Sequence, residues 1–235
     1  MMRQIFVLAS GLCDWKARLA APDLHWKRER SAFELAVTWE AAAKTARGLP
    51  PQVAELLDTN AILKGAYLLL AVPEHKVALE GIGKASQTDV WALLKTPSGL
   101  ASLAVEGKAG EPFDKTVKEW DDGSSNRQTR LQGLCRTLGL SVNNVSDLRY
   151  QLLHRAASAV LEAQRFGASE AVLVVQSFGT AAVGFNDFAL FAAKLGAGAI
   201  TQGQLCSIQL GSVRLSAGWL DCPYVTDAQI TLSAV

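Results

Sequence analysis

The chain has 235 residues, of which 49% are hydrophobic and 19% charged, with a formal net charge of +1. That is enough apolar material for one domain with a sizeable core, and it excludes wholesale disorder. The balance of charge also excludes a uniformly basic nucleic-acid binder, so any such surface has to be a local patch.

The run Ile5-Phe6-Val7-Leu8-Ala9 is too short for a secretory signal's apolar region and is expected to form an initial strand. No stretch approaches the roughly 20 apolar residues of a membrane span, so a soluble, cytoplasmic protein without a membrane partner is expected. Cys13, Cys135, Cys206 and Cys222 form no CxxC pair, and His25, His75 and His154 are equally scattered. Reduced thiols are expected rather than a zinc site. The stretch His25-Trp26-Lys27-Arg28-Glu29-Arg30 offers stacking and phosphate contact, or simply a solvated charge run.

A first helix is predicted over about 31–47. Ser31-Ala32-Phe33-Glu34 reads as its capping box and Gly48-Leu49-Pro50-Pro51 as its stop. A short helix over about 51–57 follows. Three strand-like segments come next, at 76–81, 88–95 and 100–108, the last two joined by the turn Thr96-Pro97-Ser98-Gly99. A helix over 127–138 ends at Gly139. A longer one, about 147–166, has Ser146 as its N-cap and Gly167 as its terminator. The run 171–175 is continuously apolar, as a central strand buried on both faces should be. A helix near 186–195, a Gly-rich bend and strands near 205–210 and 213–220 complete the chain. Neither Gly-rich stretch after 178 carries Gly-Lys-Ser/Thr, so nothing supports a phosphate-binding loop.

The chemistry concentrates at the hairpin. Asp89 lies in the second strand segment, and Glu106-Gly107-Lys108 closes the third. A tight turn between the strands brings both carboxylates to one end, and residues two apart share a face, so Glu106 and Lys108 point the same way. Two close carboxylates repel, and a hard divalent cation relieves that repulsion. Mg²⁺ (with Mn²⁺ as substitute) takes few protein carboxylates and fills its octahedron with water and phosphate oxygens. Lys108 could orient the attacking water or offset charge in the transition state. A strand-end turn residue and an exposed cross-strand charge pair are the plainer alternatives.

Asp89…Glu106-Gly107-Lys108, at the tip of a hairpin and after an N-terminal helix, resembles the PD-(D/E)XK superfamily of restriction-endonuclease-like nucleases. Glu74-His75-Lys76-Val77, Ala85-Ser86-Gln87-Thr88-Asp89, Arg149-Tyr150-Gln151-Leu152-Leu153-His154-Arg155 and Gln176-Ser177-Phe178 are similar to the wording of a bacterial family within it. The resemblance spans about residues 24–220. Thr88 stands where the superfamily commonly has Pro. The resemblance implies an α/β fold with an αβββαβ core and a central mixed sheet flanked by helices. A nuclease-like core over about 24–180 and a C-terminal helix and β-hairpin extension over about 181–235 are expected within a single domain. It implies Mg²⁺-dependent hydrolysis of phosphodiester bonds, DNA being the expected substrate. Asp89 and Glu106 would hold the metal and Lys108 the attacking water. The alternative is a catalytically inactive module that keeps the fold and binds nucleic acid or a protein partner.

Superfamily sites often add a carboxylate from the first helix. Glu40, at the edge of the apolar arc, is favoured over Glu34, which a capping role explains; Glu74 is the third option. Gln151 and Arg155 lie four apart on one helix face beside His154, and either reach the site or form a solvated face. Ser86 and Gln87 meet phosphate or base edges, or only make the turn. The apolar, Gly-rich C-terminal region could pack on the core or form a homodimer interface.

Overall fold

A computed structural model describes residues 11–179 and 182–233. The strand expected over residues 5–9 lies outside them. Helices α1 (Leu12–Arg18), α2 (Pro22–His25), α3 (Ser31–Ala42) and α4 (Pro51–Asp58) come first. Strands β1 (Tyr67–Val77), β2 (Ser86–Thr96) and β3 (Gly99–Lys108) follow, then α5 (Val117–Trp120), α6 (Ser125–Leu138) and α7 (Tyr150–Phe166). β4 (Glu170–Phe178), α8 (Phe185–Lys194), β5 (Leu205–Leu210), β6 (Val213–Cys222) and α9 (Asp227–Ser233) end the described chain.

The strands make one open, mixed, six-stranded sheet in the order β1-β2-β3-β4-β6-β5. β1, β2 and β3 are antiparallel neighbours, β4 is parallel to both β3 and β6, and β5 closes the far edge antiparallel to β6. β4 is buried along its whole length, as its apolar run requires of a central strand. Its side chains alternate between two cores. Ala171, Leu173 and Val175 pack with α6, α7 and α8, while Val172 and Val174 pack with α3 and α4. Each fully buried Leu or Val in these layers contributes roughly 1.5–3 kcal/mol relative to exposure.

Several boundaries differ from expectation for local reasons. α3 stops at Ala42, where the Thr45 hydroxyl lies 2.9 Å from the Ala42 carbonyl and competes with a further turn. Ser31 does not cap it. Instead the Glu34 carboxylate accepts from the Glu29 and Val225 backbone N–H groups at 2.8 and 2.7 Å. α7 begins at Tyr150 rather than near 147. The backbone before it is engaged elsewhere: Val117 N donates to Leu148 O, Lys118 N to Ser146 O and Tyr150 N to Lys115 O. The first strand runs over Tyr67–Val77, well before the expected 76–81. Finally, the C-terminal hairpin is not appended to the core: β6 lies beside β4 from Arg214 to Cys222, covering a strand edge that would otherwise be unpaired.

Candidate functional site

The β2–β3 register, with Val90 opposite Val105 and Trp91 opposite Ala104, runs toward Asp89 and Glu106. Val90, Ala92, Leu103 and Val105 face the α3–α4 core, so Asp89, Glu106 and Lys108 turn to the α7 side. Beyond Val90 the ladder ends, and the Asp89 carboxylate takes the Gly107 N–H at 2.9 Å. Gly107 has to be glycine for a packing reason. A Cβ there would stand 2.4 Å from Leu35 Cδ1 of α3, so the helix leans directly on the backbone between Glu106 and Lys108.

α7 supplies the other wall. Gln151 and Arg155, one turn apart, both meet Glu106: Gln151 Nε2 donates to Oε1 at 2.5 Å and Arg155 Nε to Oε2 at 2.5 Å. Lys108 Nζ lies 3.2 Å from Glu106 Oε1 and donates to Gln151 Oε1 at 3.1 Å, while sitting 4.8 Å from the Phe113 ring centre. Arg155 reaches Asp89 only loosely, at 3.7 Å. The Asp89 side chain is 24% exposed and the Glu106 side chain 3%, so solvent meets the group on the Asp89 side.

The two carboxylates are held in opposite states. Burial would raise Glu106, but Arg155 and Lys108 outweigh it and keep the group below its ordinary range. Burial, then Glu106 and Glu74, hold Asp89 well above its ordinary range against the pull of Arg155. Glu74 is also raised, first by burial, with Gln87 donating to it at 2.6 Å. Three carboxylates thus share one field, and Arg155 and Lys108 serve chiefly Glu106.

The predicted site residues separate accordingly. Asp89, Glu106, Lys108, Gln151 and Arg155 come together, and Glu74, bonded to Gln87, shares their electrostatic field. Glu40 does not: it accepts from the Trp15 indole at 2.5 Å, which accounts for its half-buried place on α3. Glu34 is the backbone cap described above. Ser86 lies 2.9 Å from His154 Nδ1 and accepts from Arg155 Nη1 at 3.3 Å, whereas Gln87 turns to Glu74. Arg155 also donates to His154 Nδ1, so that nitrogen carries the lone pair and Nε2 the proton. Arg28, in the basic stretch, pairs with Asp227 at 2.7 Å. Sequence reasoning missed Arg130 and Trp120, whose signal is non-local: Arg130 meets Lys84 and Trp120 meets Tyr150 only through the fold.

Among the described residues, no group of three or more His, Cys, Asp or Glu is placed to hold a metal ion unaided. Asp89 is the carboxylate open to a hard cation, since it accepts from the Gly107 N–H and meets Arg155 only at 3.7 Å. Both Glu106 oxygens already meet Gln151, Lys108 or Arg155, so a cation that also took Glu106 would have to displace one of them. No helix among the described residues is long and apolar enough to cross a membrane.

No curated protein and no solved structure matches the chain. One family does, the domain of unknown function DUF6946, over residues 8–223. With nearly the whole length matched, the chain belongs to the DUF6946 family.

Proposed function

We propose that the protein is a metal-dependent phosphodiesterase of the restriction-endonuclease-like kind, acting on nucleic acid with DNA as the expected substrate. The observation that carries this reading is the meeting of Asp89, Glu106 and Lys108 on one sheet face, beneath a helix that adds Gln151 and Arg155. The element order α3, β1–β3, α7, β4, with β3 parallel to β4, supports the αβββαβ core that the resemblance implies. Four free cysteines accord with a reducing, cytoplasmic setting.

Asp89 and Glu106 would hold Mg²⁺, which when bound lowers the pKa of a coordinated water and offsets charge on the attacked phosphate. The chain's own part is positioning. The Lys108 ammonium has three donors; Glu106 and Gln151 take two, leaving one for an oxygen at the site. Gln151 fixes that ammonium and Glu106 together through its two amide atoms. Phe113 and the α3 wall at Gly107 keep water from the buried side.

Cleavage assays on single- and double-stranded DNA and RNA with Mg²⁺ or Mn²⁺ test the proposal. Lys108→Ala and Asp89→Asn are each expected to lower the metal-dependent rate by about 10²-fold or more. Absence of cleavage by the unaltered protein across all substrates would sink it.

One observation favours the second reading, a module without catalysis: the Arg155 guanidinium already spans both carboxylates. Calorimetry separates the two. Mn²⁺ binding that disappears in Asp89→Asn and Glu106→Gln belongs to the catalytic reading, and no Mn²⁺ binding belongs to the module.

A further inference from the structure

Beside the carboxylate group, on the other side of Ser86 and His154, lies a cleft of 460 Å³. That is within the range of small-molecule sites, about 300–1,000 Å³. Three cations line it, Lys84, Arg127 and Arg130, and no carboxylate does among the described residues, although Arg127 also pairs outward with Asp122 at 3.5 Å. Arg130 is 8% exposed and has no ion-pair partner among those residues. Its Nη1 donates to Lys84 O at 2.6 Å, and its Nε, fully buried, has no hydrogen-bond partner at all. A guanidinium withdrawn from water without a counter-ion is costly, so such a group needs an anion.

The rest of the lining is not what a bare anion needs. Trp120 and Tyr150 stack with ring centres 3.9 Å apart and planes 9° from parallel, and the Arg127 guanidinium lies 5.3 Å from the Trp120 ring. Ile82, 85% exposed, forms an apolar lip on the same cleft. The local field is positive: burial first, then Arg155, Arg130 and Lys108, depress His154 well below the ordinary imidazole range and keep it neutral. An aromatic wall set against cations is the combination that binds single nucleotides of a strand.

We propose that this cleft takes one nucleotide of a nucleic-acid strand, its phosphate on Arg130, Lys84 and Arg127 and its base against the Trp120–Ile82 side. The cleft and the carboxylate group are one side chain apart. Ser86 and His154 line the cleft and both touch Arg155, which touches Glu106 and Asp89. A strand seated here therefore has its neighbouring phosphate beside Asp89. The proposal rests on the phosphodiesterase reading for the identity of the strand, but its test needs no metal and no turnover.

Fluorescence anisotropy of a labelled 12-nucleotide single strand, with Asp89→Asn protein in EDTA, gives the readout. Lys84→Ala and Arg127→Ala are each expected to weaken binding about tenfold at low salt and to lower the salt-dependence slope by about one. Trp120→Ala is expected to remove any preference for the base-bearing strand over an abasic strand of equal length. Arg130→Gln adds the buried partner, and the exposed Lys84 decides the matter if that variant does not fold. Wild-type affinity in Lys84→Ala with Arg127→Ala overturns the proposal. So does equal affinity for abasic and base-bearing strands, or competition by inorganic phosphate as strong as by a 5′-mononucleotide. Cleft-dependent binding without cleavage leaves the cleft and removes the phosphodiesterase. Cleavage indifferent to the cleft variants does the reverse.

Discussion

Arg155 and Arg130 are both buried arginines on neighbouring helices, with 7% and 8% exposure, yet their surroundings are opposite. Arg155 is surrounded by anions: Glu106 holds it closely, Asp89 loosely, and Glu74 adds to the field. Arg130 has backbone and phenol oxygens but no carboxylate. One region thus has more negative charge than its cations cover, and the other has more positive charge than its anions cover. Neither imbalance serves stability, since a fold selected for stability alone would cancel each locally. Placed side by side, they suit a ligand that brings phosphate to the second and accepts a cation at the first.

The largest expected effect is on Arg155. Arg155→Leu leaves the buried Glu106 with Lys108 as its one cation and Gln151 as its neutral donor, and strips Asp89 of its guanidinium. A loss of about 3–5 kcal/mol in urea unfolding is expected. A loss below about 1 kcal/mol would mean that the carboxylates are solvated, and the contrast with Arg130 would fall.

Next comes Gly107→Ala, at about 1–3 kcal/mol, because the added methyl meets Leu35 and overpacks a closed core. The acidic group is braced by α3 at this point. At the cleft's lip Asn126 holds the Ile82 backbone but the Ile82 side chain is 85% exposed, so Ile82→Ser is expected to stay within about 0.5 kcal/mol of the parent. Thermal unfolding of both variants checks the pair.

How far these regions were legible in the sequence follows from range. The β2–β3 hairpin has a Pro-Ser-Gly turn and the Asp89…Glu106-Gly107-Lys108 spacing across it, all within 20 residues, so its site could be read directly. β4 was legible because burial on both faces removes polar residues. β1 was not: it is an edge strand with Pro73 inside it and a shifted register between Leu68 and Leu70, so neither alternation nor composition marks its start. Glu40 looked like a site carboxylate because a half-buried acid needs a partner; that partner is Trp15, 25 residues earlier, and no helical projection contains it. The cleft draws on residues near 80, 120–130 and 150, and only the packing of α6 and α7 against the loop after β1 assembles it.

A smaller effect, of opposite sign, is expected at Asp89. Its folded pKa is raised above the unfolded value, so the folded state keeps a proton that the unfolded chain has released. Stability therefore falls as pH rises from the unfolded value through the raised one, and the penalty is complete above it. Asp89→Asn removes that penalty and can still accept the Gly107 N–H. A gain of about 1 kcal/mol, roughly 2–4 °C in Tm, is expected at pH 8, shrinking toward acid pH. A Tm difference that grows on acidification would show Asp89 to be well paired.

The smallest effect is the most discriminating. Arg130→Leu in the nucleotide-free protein loses a hydrogen bond to Lys84 O, but it also removes a desolvated charge without a counter-ion. These terms oppose each other, so the variant is expected within about 1 kcal/mol of the parent in urea unfolding. Adding a 5′-mononucleotide should then separate them: the parent gains stability as ligand binds the folded state, and Arg130→Leu gains much less. If Arg130→Leu instead costs as much as Arg155→Leu without ligand, Arg130 is fully compensated within the fold. The two buried arginines would then be alike, and the positive excess that motivates the cleft would not exist.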